Sequence, residues 1–126
     1  MCNVPFGPVV VAKQSFLNQT ASLPATTIYT PTEDGFFLVQ TYLTVSAFAA
    51  DSSSGGGTVL IGYTDPAAAE SFEGVSINSG LQQGPTGNGF QNTIYALSGE
   101  PITLSVNFSF HDPDQTYSAY VTVIRT

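Results

Sequence analysis

His111, Asp112 and Asp114 are the residues whose types and spacing first invite chemistry in this chain of 126 residues. A histidine beside carboxylates can serve a serine nucleophile as general base. Such a serine sits on a strained turn, usually written G-x-S-x-G. The nearest match, Gly74-Val75-Ser76-Ile77-Asn78, fails at its last position. Asp and Pro in a tight turn are explained by turn geometry alone. His111 therefore reads as a turn residue, and the chain is not expected to be an enzyme.

Asp112 and Asp114, with Glu33 and Asp34, are candidate oxygen ligands for calcium. No glycine and distal glutamate follow at the offsets of an EF-hand loop. Glycoside hydrolysis needs two facing carboxylates, whereas the nine acids here are scattered among expected loops. The run Ser53-Ser54-Gly55-Gly56-Gly57 has no lysine after it and is not a phosphate loop. The single cysteine, Cys2, and the single histidine lie at opposite ends and do not supply a zinc site. One cysteine also excludes an intrachain disulfide. No cofactor is expected. Aromatic side chains that could stack on sugars remain: Tyr63, Phe72, Phe90 and Tyr95. Tyr63 and Tyr95 read as strand residues packing across a sheet. Phe90, in the glycine-rich stretch 84–91, reads as a ligand-loop candidate.

The elements that must position these residues are strands. No long stretch has helical periodicity, and period-two alternation is frequent. In 101–110, Ile102, Leu104, Val106, Phe108 and Phe110 point one way and Thr103, Ser105, Asn107 and Ser109 the other. In 36–48, Phe37, Val39, Leu43, Val45 and Ala47 share one face, while Phe36, Leu38 and Tyr42 stand among Gln40, Thr44 and Ser46 on the other. In 117–125, Tyr117, Ala119, Val121 and Val123 oppose Tyr120, Thr122 and Ile124. These last two strands are apolar on both faces and need two partners, the opposing sheet on one side and either a second subunit or covering loops on the other. Further strands are expected near 8–17, 24–30, 58–64, 74–81 and 92–98. Asp65–Glu73, with Ala67, Ala68 and Ala69, is expected to hold a short helical turn. Turns rich in Pro, Gly and Asp separate the strands. The expectation is an all-β, two-sheet jelly-roll sandwich of about eight to ten antiparallel strands. Residues 1–12 form an N-terminal extension or first strand, and 13–126 form the domain.

Composition limits the partners. The net charge is −7, and Lys13 and Arg125 are the only basic side chains. Nucleic-acid binding needs many cations to displace counterions, so it is excluded. Attachment to anionic membranes fails for the same reason. No apolar run reaches the roughly 18 residues of a membrane-spanning helix. Pro8–Ala12 is too short for a signal peptide's apolar region and has no basic residue before it.

Two segments resemble the trimeric jelly rolls of the tumour-necrosis-factor and complement globular-head type. Gly35-Phe36-Phe37-Leu38-Val39-Gln40-Thr41-Tyr42 is similar to that family's glycine-plus-aromatic strand, and Tyr117-Ser118-Ala119-Tyr120-Val121 to its closing strand. The pattern Gln19-Thr20-Ala21-Ser22, Thr27-Ile28-Tyr29-Thr30-Pro31 and Asp34-Gly35 resembles small phage and bacterial proteins. The resemblance spans most of 13–126, in short motifs, and lacks the Trp and cysteines of the complement type. It implies an inner sheet packed about a three-fold axis, with Phe36, Leu38, Tyr42, Tyr120 and Ile124 at the subunit interface. The expected role is a homotrimer that decorates or caps a particle such as a phage virion, on the virion surface or outside the cell. The alternative is a lectin-like module that binds a glycan or receptor through loops 49–57, 83–91 and 111–116.

Overall fold

A computed structural model describes residues 8–45, 56–78, 86–109 and 115–126. Eight strands follow in order: β1 (Val9–Gln19), β2 (Leu23–Tyr29), β3 (Gly35–Val45), β4 (Gly56–Thr64), β5 (Ala69–Asn78), β6 (Thr86–Ala96), β7 (Ile102–Ser109) and β8 (Tyr117–Arg125). They form two four-stranded sheets, β1-β8-β3-β6 and β2-β7-β4-β5, and all pairs are antiparallel. The chain changes sheet at almost every connection, and only β4–β5 is a hairpin within one sheet. Eight strands wound this way between two sheets make a jelly roll.

Alternation explains the core. Phe37, Val39, Leu43 and Val45 of β3 are buried, as are Ile102, Leu104, Val106 and Phe108 of β7 and Tyr117, Ala119, Val121 and Val123 of β8. They meet Val59 and Ile61 of β4 and Val75 and Ile77 of β5 in one cluster between the sheets. Phe108 and Tyr117 stack across the two sheets, with centroids 4.7 Å apart and planes 18° apart. The Tyr117 hydroxyl donates to the Ala21 carbonyl at 2.7 Å. Burial of this ring pushes the Tyr117 hydroxyl pKa upward.

Bulges interrupt the ladders, and side chains take over the backbone groups they release. In β1, Leu17 and Asn18 stand where the register slips, Asn18 has φ 53°, and its N–H donates to Ser118 Oγ at 2.9 Å. In β2, one extra residue falls at Ile28, whose carbonyl accepts from Gln14 Nε2 at 3.1 Å. In β5, the extra residue falls at Gly74–Val75, and the Val75 N–H donates to Thr41 Oγ1 at 3.1 Å. A bulge leaves a residue unpaired, and a buried unpaired donor costs about 1–3 kcal/mol. These contacts are why Gln14, Thr41 and Ser118 are polar residues at or near the core.

The helical turn expected in 65–73 does not form. Asp65 instead makes a tight turn. Its Oδ1 accepts from the N–H groups of Ala67 at 2.8 Å and Ala68 at 3.1 Å, and β5 starts at Ala69. The Asp65 N–H also donates to the Ala68 carbonyl at 3.0 Å and Thr64 pairs with Ala69, so closure of the β4–β5 hairpin takes the alanines into a turn and strand instead of a helix. β1 spans position 12 with one bulge at Val11, since Val10 pairs with Ile124, Ala12 with Val123 and Lys13 with Thr122. No helix among the described residues is long and apolar enough to cross a membrane.

Candidate functional site

The outward face of the β1-β8-β3-β6 sheet is the chemically distinctive surface. Cross-strand register sorts its side chains into rows. Val10, Ile124, Leu38 and Thr93 form one row, because Val10 pairs with Ile124, Ile124 with Leu38, and Leu38 with Thr93. Lys13, Thr122, Gln40 and Gln91 form the next. Ser15, Tyr120, Tyr42 and Gly89 form the third. Phe36 and Tyr95 close one end, edge to face at 5.0 Å.

Large apolar side chains stand in solvent here: Phe36 is 56% exposed, Val10 56%, Tyr42 44% and Tyr120 39%. Leu38 and Ile124 are half-buried neighbours on the same face. Tyr42 and Tyr120 are cross-strand partners with centroids 6.4 Å apart. Tyr42 lies flat across β6 because β6 offers glycines there. A Cβ at Gly87 would fall 2.5 Å from Tyr42 Oη, and one at Gly89 would fall 3.0 Å from Tyr42 Cδ1. The two glycines are thus the seat of the ring.

An open, shallow cleft of about 450 Å³ lies between Gln40, Tyr42, Gly89, Gln91, Tyr120 and Thr122. Gln40 Nε2 donates to Gln91 Oε1 at 3.1 Å on its floor. Its walls are aromatic rings and neutral amides.

Charge is segregated between the sheets. The strands β1, β3, β6 and β8 contain both basic residues of the chain and no carboxylate. The strands β2, β4, β5 and β7 contain Glu70 and Glu73 and no cation. Arg125, at the end of β8, pairs with Glu33 at 3.5 Å, an exposed ion pair of small energetic weight. Lys13 is left as the lone charge within the outward rows.

Phe36, Leu38, Tyr42, Tyr120 and Ile124 all fall on this one face. Sequence reasoning missed β1's share, Val10 and Lys13, because assigning it requires the β1–β8 register and its bulge at Val11. It also missed Gly87 and Gly89. The alternating pattern Gly87-x-Gly89 opposite an aromatic strand is the available signal, and in the sequence it imitates a loop. Residues 86–96 are strand, so Phe90 is not a loop residue: it pairs with Thr41. Phe90 is 47% exposed on β6, where the edge strands β5 and β6 of the two sheets lie together. Tyr63 packs on Phe72 at 6.2 Å and Tyr95 on Phe36, as strand residues. The calcium candidates Asp112 and Asp114, with His111, lie outside the described residues. Loops 49–55, 83–85 and 111–114 lie outside them too. Among the described residues no three of His, Cys, Asp and Glu come together as a metal site.

Strand order and surface together define an eight-stranded jelly roll with one aromatic-rich sheet face whose strands carry no carboxylate. No protein-family model matches the chain, and no curated protein sequence matches it. Solved structures of similar shape include Eiger TNF from S. frugiperda, 10% identical, with TM-score 0.47 over 91% of this chain and 92% of that one. Another is a Clostridium thermocellum xylanase 10B of CBM22-1 and GH10 modules, 11% identical, TM-score 0.44, over 99% of this chain and 26% of that one. A third is the VP2 subviral particle of infectious bursal disease virus, 14% identical, TM-score 0.44, over 94% of this chain and 32% of that one. Overlaps this loose assign neither family nor function. The jelly-roll class rests on the strand order.

Proposed function

We propose that this chain is a structural subunit, a homotrimer closed through the outward face of the β1-β8-β3-β6 sheet, that decorates or caps a larger particle such as a virion. The observation that carries the reading is the exposed row set around Tyr42 and Tyr120, free of carboxylates in a chain of charge −7. Desolvating charge is the main cost of burying a surface, and Lys13 is the one charge in the outward rows of this face. Four strands about 4.8 Å apart, with some nine residues each at about 3.3 Å, make a face of nearly 600 Å². Stable interfaces bury about 800 Å² per partner. A closed ring gives each copy two contacts, so the face need supply only part of the total. In this reading the chain performs no chemistry itself, and its place is the virion surface or the extracellular medium.

Light scattering on Tyr42→Arg with Tyr120→Arg tests the interface. The wild type is expected as a trimer and the double variant as a folded monomer. A double variant that keeps the wild-type mass would refute the reading. The reading includes anchoring of the trimer to its particle by the N-terminal segment 1–12; because β1 pairs from Val9, deleting residues 1–8 tests this without removing the strand. The truncated trimer is expected to lose co-sedimentation with particles from the same culture. Undiminished co-sedimentation would sink the anchoring idea.

The cleft on the same face favours one second reading, a glycan-binding module. Its rings and neutral amides suit the faces and hydroxyls of an uncharged sugar. A glycan array probed with wild type and Tyr120→Ala decides it. Binding that Tyr120→Ala abolishes supports the module, and no binding by either removes it.

A further inference from the structure

β6 is the free edge of its sheet, with β3 on one side only. Alternate N–H groups of such a strand point away from its neighbour and need another acceptor. Two of them find it in the side chain just before. The Gly89 N–H donates to Asn88 Oδ1 at 3.0 Å, and the Thr93 N–H donates to Asn92 Oδ1 at 3.0 Å. All four residues are exposed to water.

This contact holds an electrophile beside a nucleophile. Oδ1 is bonded to Cγ, so the Asn88 amide carbon stands next to the Gly89 nitrogen. Asparagine is a thermolabile residue, and attack of the following nitrogen on Cγ is how it is lost. The side chain after the asparagine shields that nitrogen. Glycine has none, whereas Thr93 is branched at Cβ. Asn88-Gly89 is the one Asn-Gly dipeptide of the chain. The comparable Asp34-Gly35 is engaged elsewhere, because Asp34 Oδ1 accepts from the Ser98 N–H at 2.8 Å.

We propose that Asn88 is a site of spontaneous deamidation, with Gly89 supplying the nucleophile and water the only co-reactant. The Gly89 N–H gives its proton to hydroxide, and the nitrogen bonds to Asn88 Cγ. The Cγ–Nδ2 bond breaks, and Nδ2 takes up a proton from water and leaves as ammonia. Water then opens the succinimide ring. Addition at Cγ gives aspartate. Addition at the main-chain carbonyl carbon of Asn88 gives isoaspartate, whose main chain runs through the former Cγ.

Both products unsettle what the amide holds. Asn88 Nδ2 donates to the Ser76 carbonyl at 3.4 Å and so links β6 to β5 of the other sheet. A carboxylate only accepts, and it repels that carbonyl. Isoaspartate also displaces Gly89, on which the Tyr42 ring rests. On the trimer reading, which this consequence rests on, ageing at Asn88 therefore loosens the assembly.

Ageing the full chain tests this. Wild type and Asn88→Gln are held at body temperature, at neutral and at mildly alkaline pH, beside a urea-denatured wild-type sample. Glutamine keeps the amide but cannot close the same ring. Isoaspartyl methyltransferase labelling counts isoaspartate, fragment masses of a pepsin digest locate the exchange of nitrogen for oxygen, and light scattering follows assembly. Folded wild type is expected to take up label at Asn88, faster in proportion to hydroxide, and to leave Asn92 intact. Asn88→Gln is expected to take up none at that position. Labelled wild type is expected to lose its trimer mass while aged Asn88→Gln keeps it. Label confined to the denatured sample, or equal conversion at Asn88 and Asn92, would overturn the site. Labelled wild type that keeps its trimer mass would overturn the link to assembly. A wild type that is monomeric before ageing overturns the trimer reading, and the label alone then decides the site.

Discussion

Thr41→Val isolates what one hydroxyl contributes to the edge of this sandwich. Thr41 is 4% exposed, and its Oγ1 accepts from the Val75 N–H at 3.1 Å and donates to the Phe90 carbonyl at 3.3 Å. It joins β3, β5 and β6 at the bulge where the Val75 amide leaves the ladder. Valine has nearly the same shape, so no cavity opens. What changes is that a buried N–H loses its acceptor, which costs about 1–3 kcal/mol. For a domain of this length, ~2 kcal/mol corresponds to a fall in Tm of about 8 °C. Thr41→Ser is the control. It keeps the hydroxyl and loses one methyl, worth about 0.8 kcal/mol. Urea unfolding at a common m-value gives both differences. Thr41→Val is expected to be the worse of the two. A Thr41→Val variant as stable as wild type would refute the claim that this hydroxyl holds the bulge.

Other outcomes follow from the same geometry. Gly87→Ala puts a methyl where Tyr42 rests. Alanine gains about 0.5–1 kcal/mol over glycine in a strand, so thermal melts are expected to change little while light scattering shows weaker assembly. Leu104→Ala, at 0% exposure, is expected to lose about 2–5 kcal/mol in chemical unfolding. The raised Tyr117 pKa has a consequence for alkaline stability. The folded state holds the neutral hydroxyl more tightly than the unfolded chain does, so its contribution is intact below about pH 10 and is lost as pH rises through the folded value. Tyr117→Phe keeps the ring stack and removes the 2.7 Å bond to Ala21. It is expected to cost about 1 kcal/mol at neutral pH and to flatten the alkaline decline in stability. A decline as steep as that of wild type would count against Tyr117 as its source.

Strands were legible wherever one face is wet and the other dry. β3, β7 and β8 announce themselves by alternation, and their inward residues are the buried ones. β6 was half missed, because Gly87 and Gly89 remove the outward side chains that alternation needs and imitate a loop. The start of β5 is hidden in the sequence, because Ala67, Ala68 and Ala69 have helix propensity that pairing with β4 overrides, with Ala69 opposite Thr64. Bulges were invisible, since an extra residue shows only against its partner strand. The roles of Thr41 and Gln14 therefore show only in the fold, where they bond Val75 and Ile28 at the bulges. The outward aromatic face was legible on β3 and β8. Its share on β1, Val10 and Lys13, was not, because placing it takes the β1–β8 register.

The mass of the wild-type chain in solution, by light scattering coupled to size exclusion, bears most directly on the central claim. A mass of three chains is expected at micromolar concentration, falling to one chain when Tyr42 and Tyr120 are replaced by arginine. A wild type that runs as a monomer at every concentration would contradict it and leave the cleft between those tyrosines as a ligand site instead.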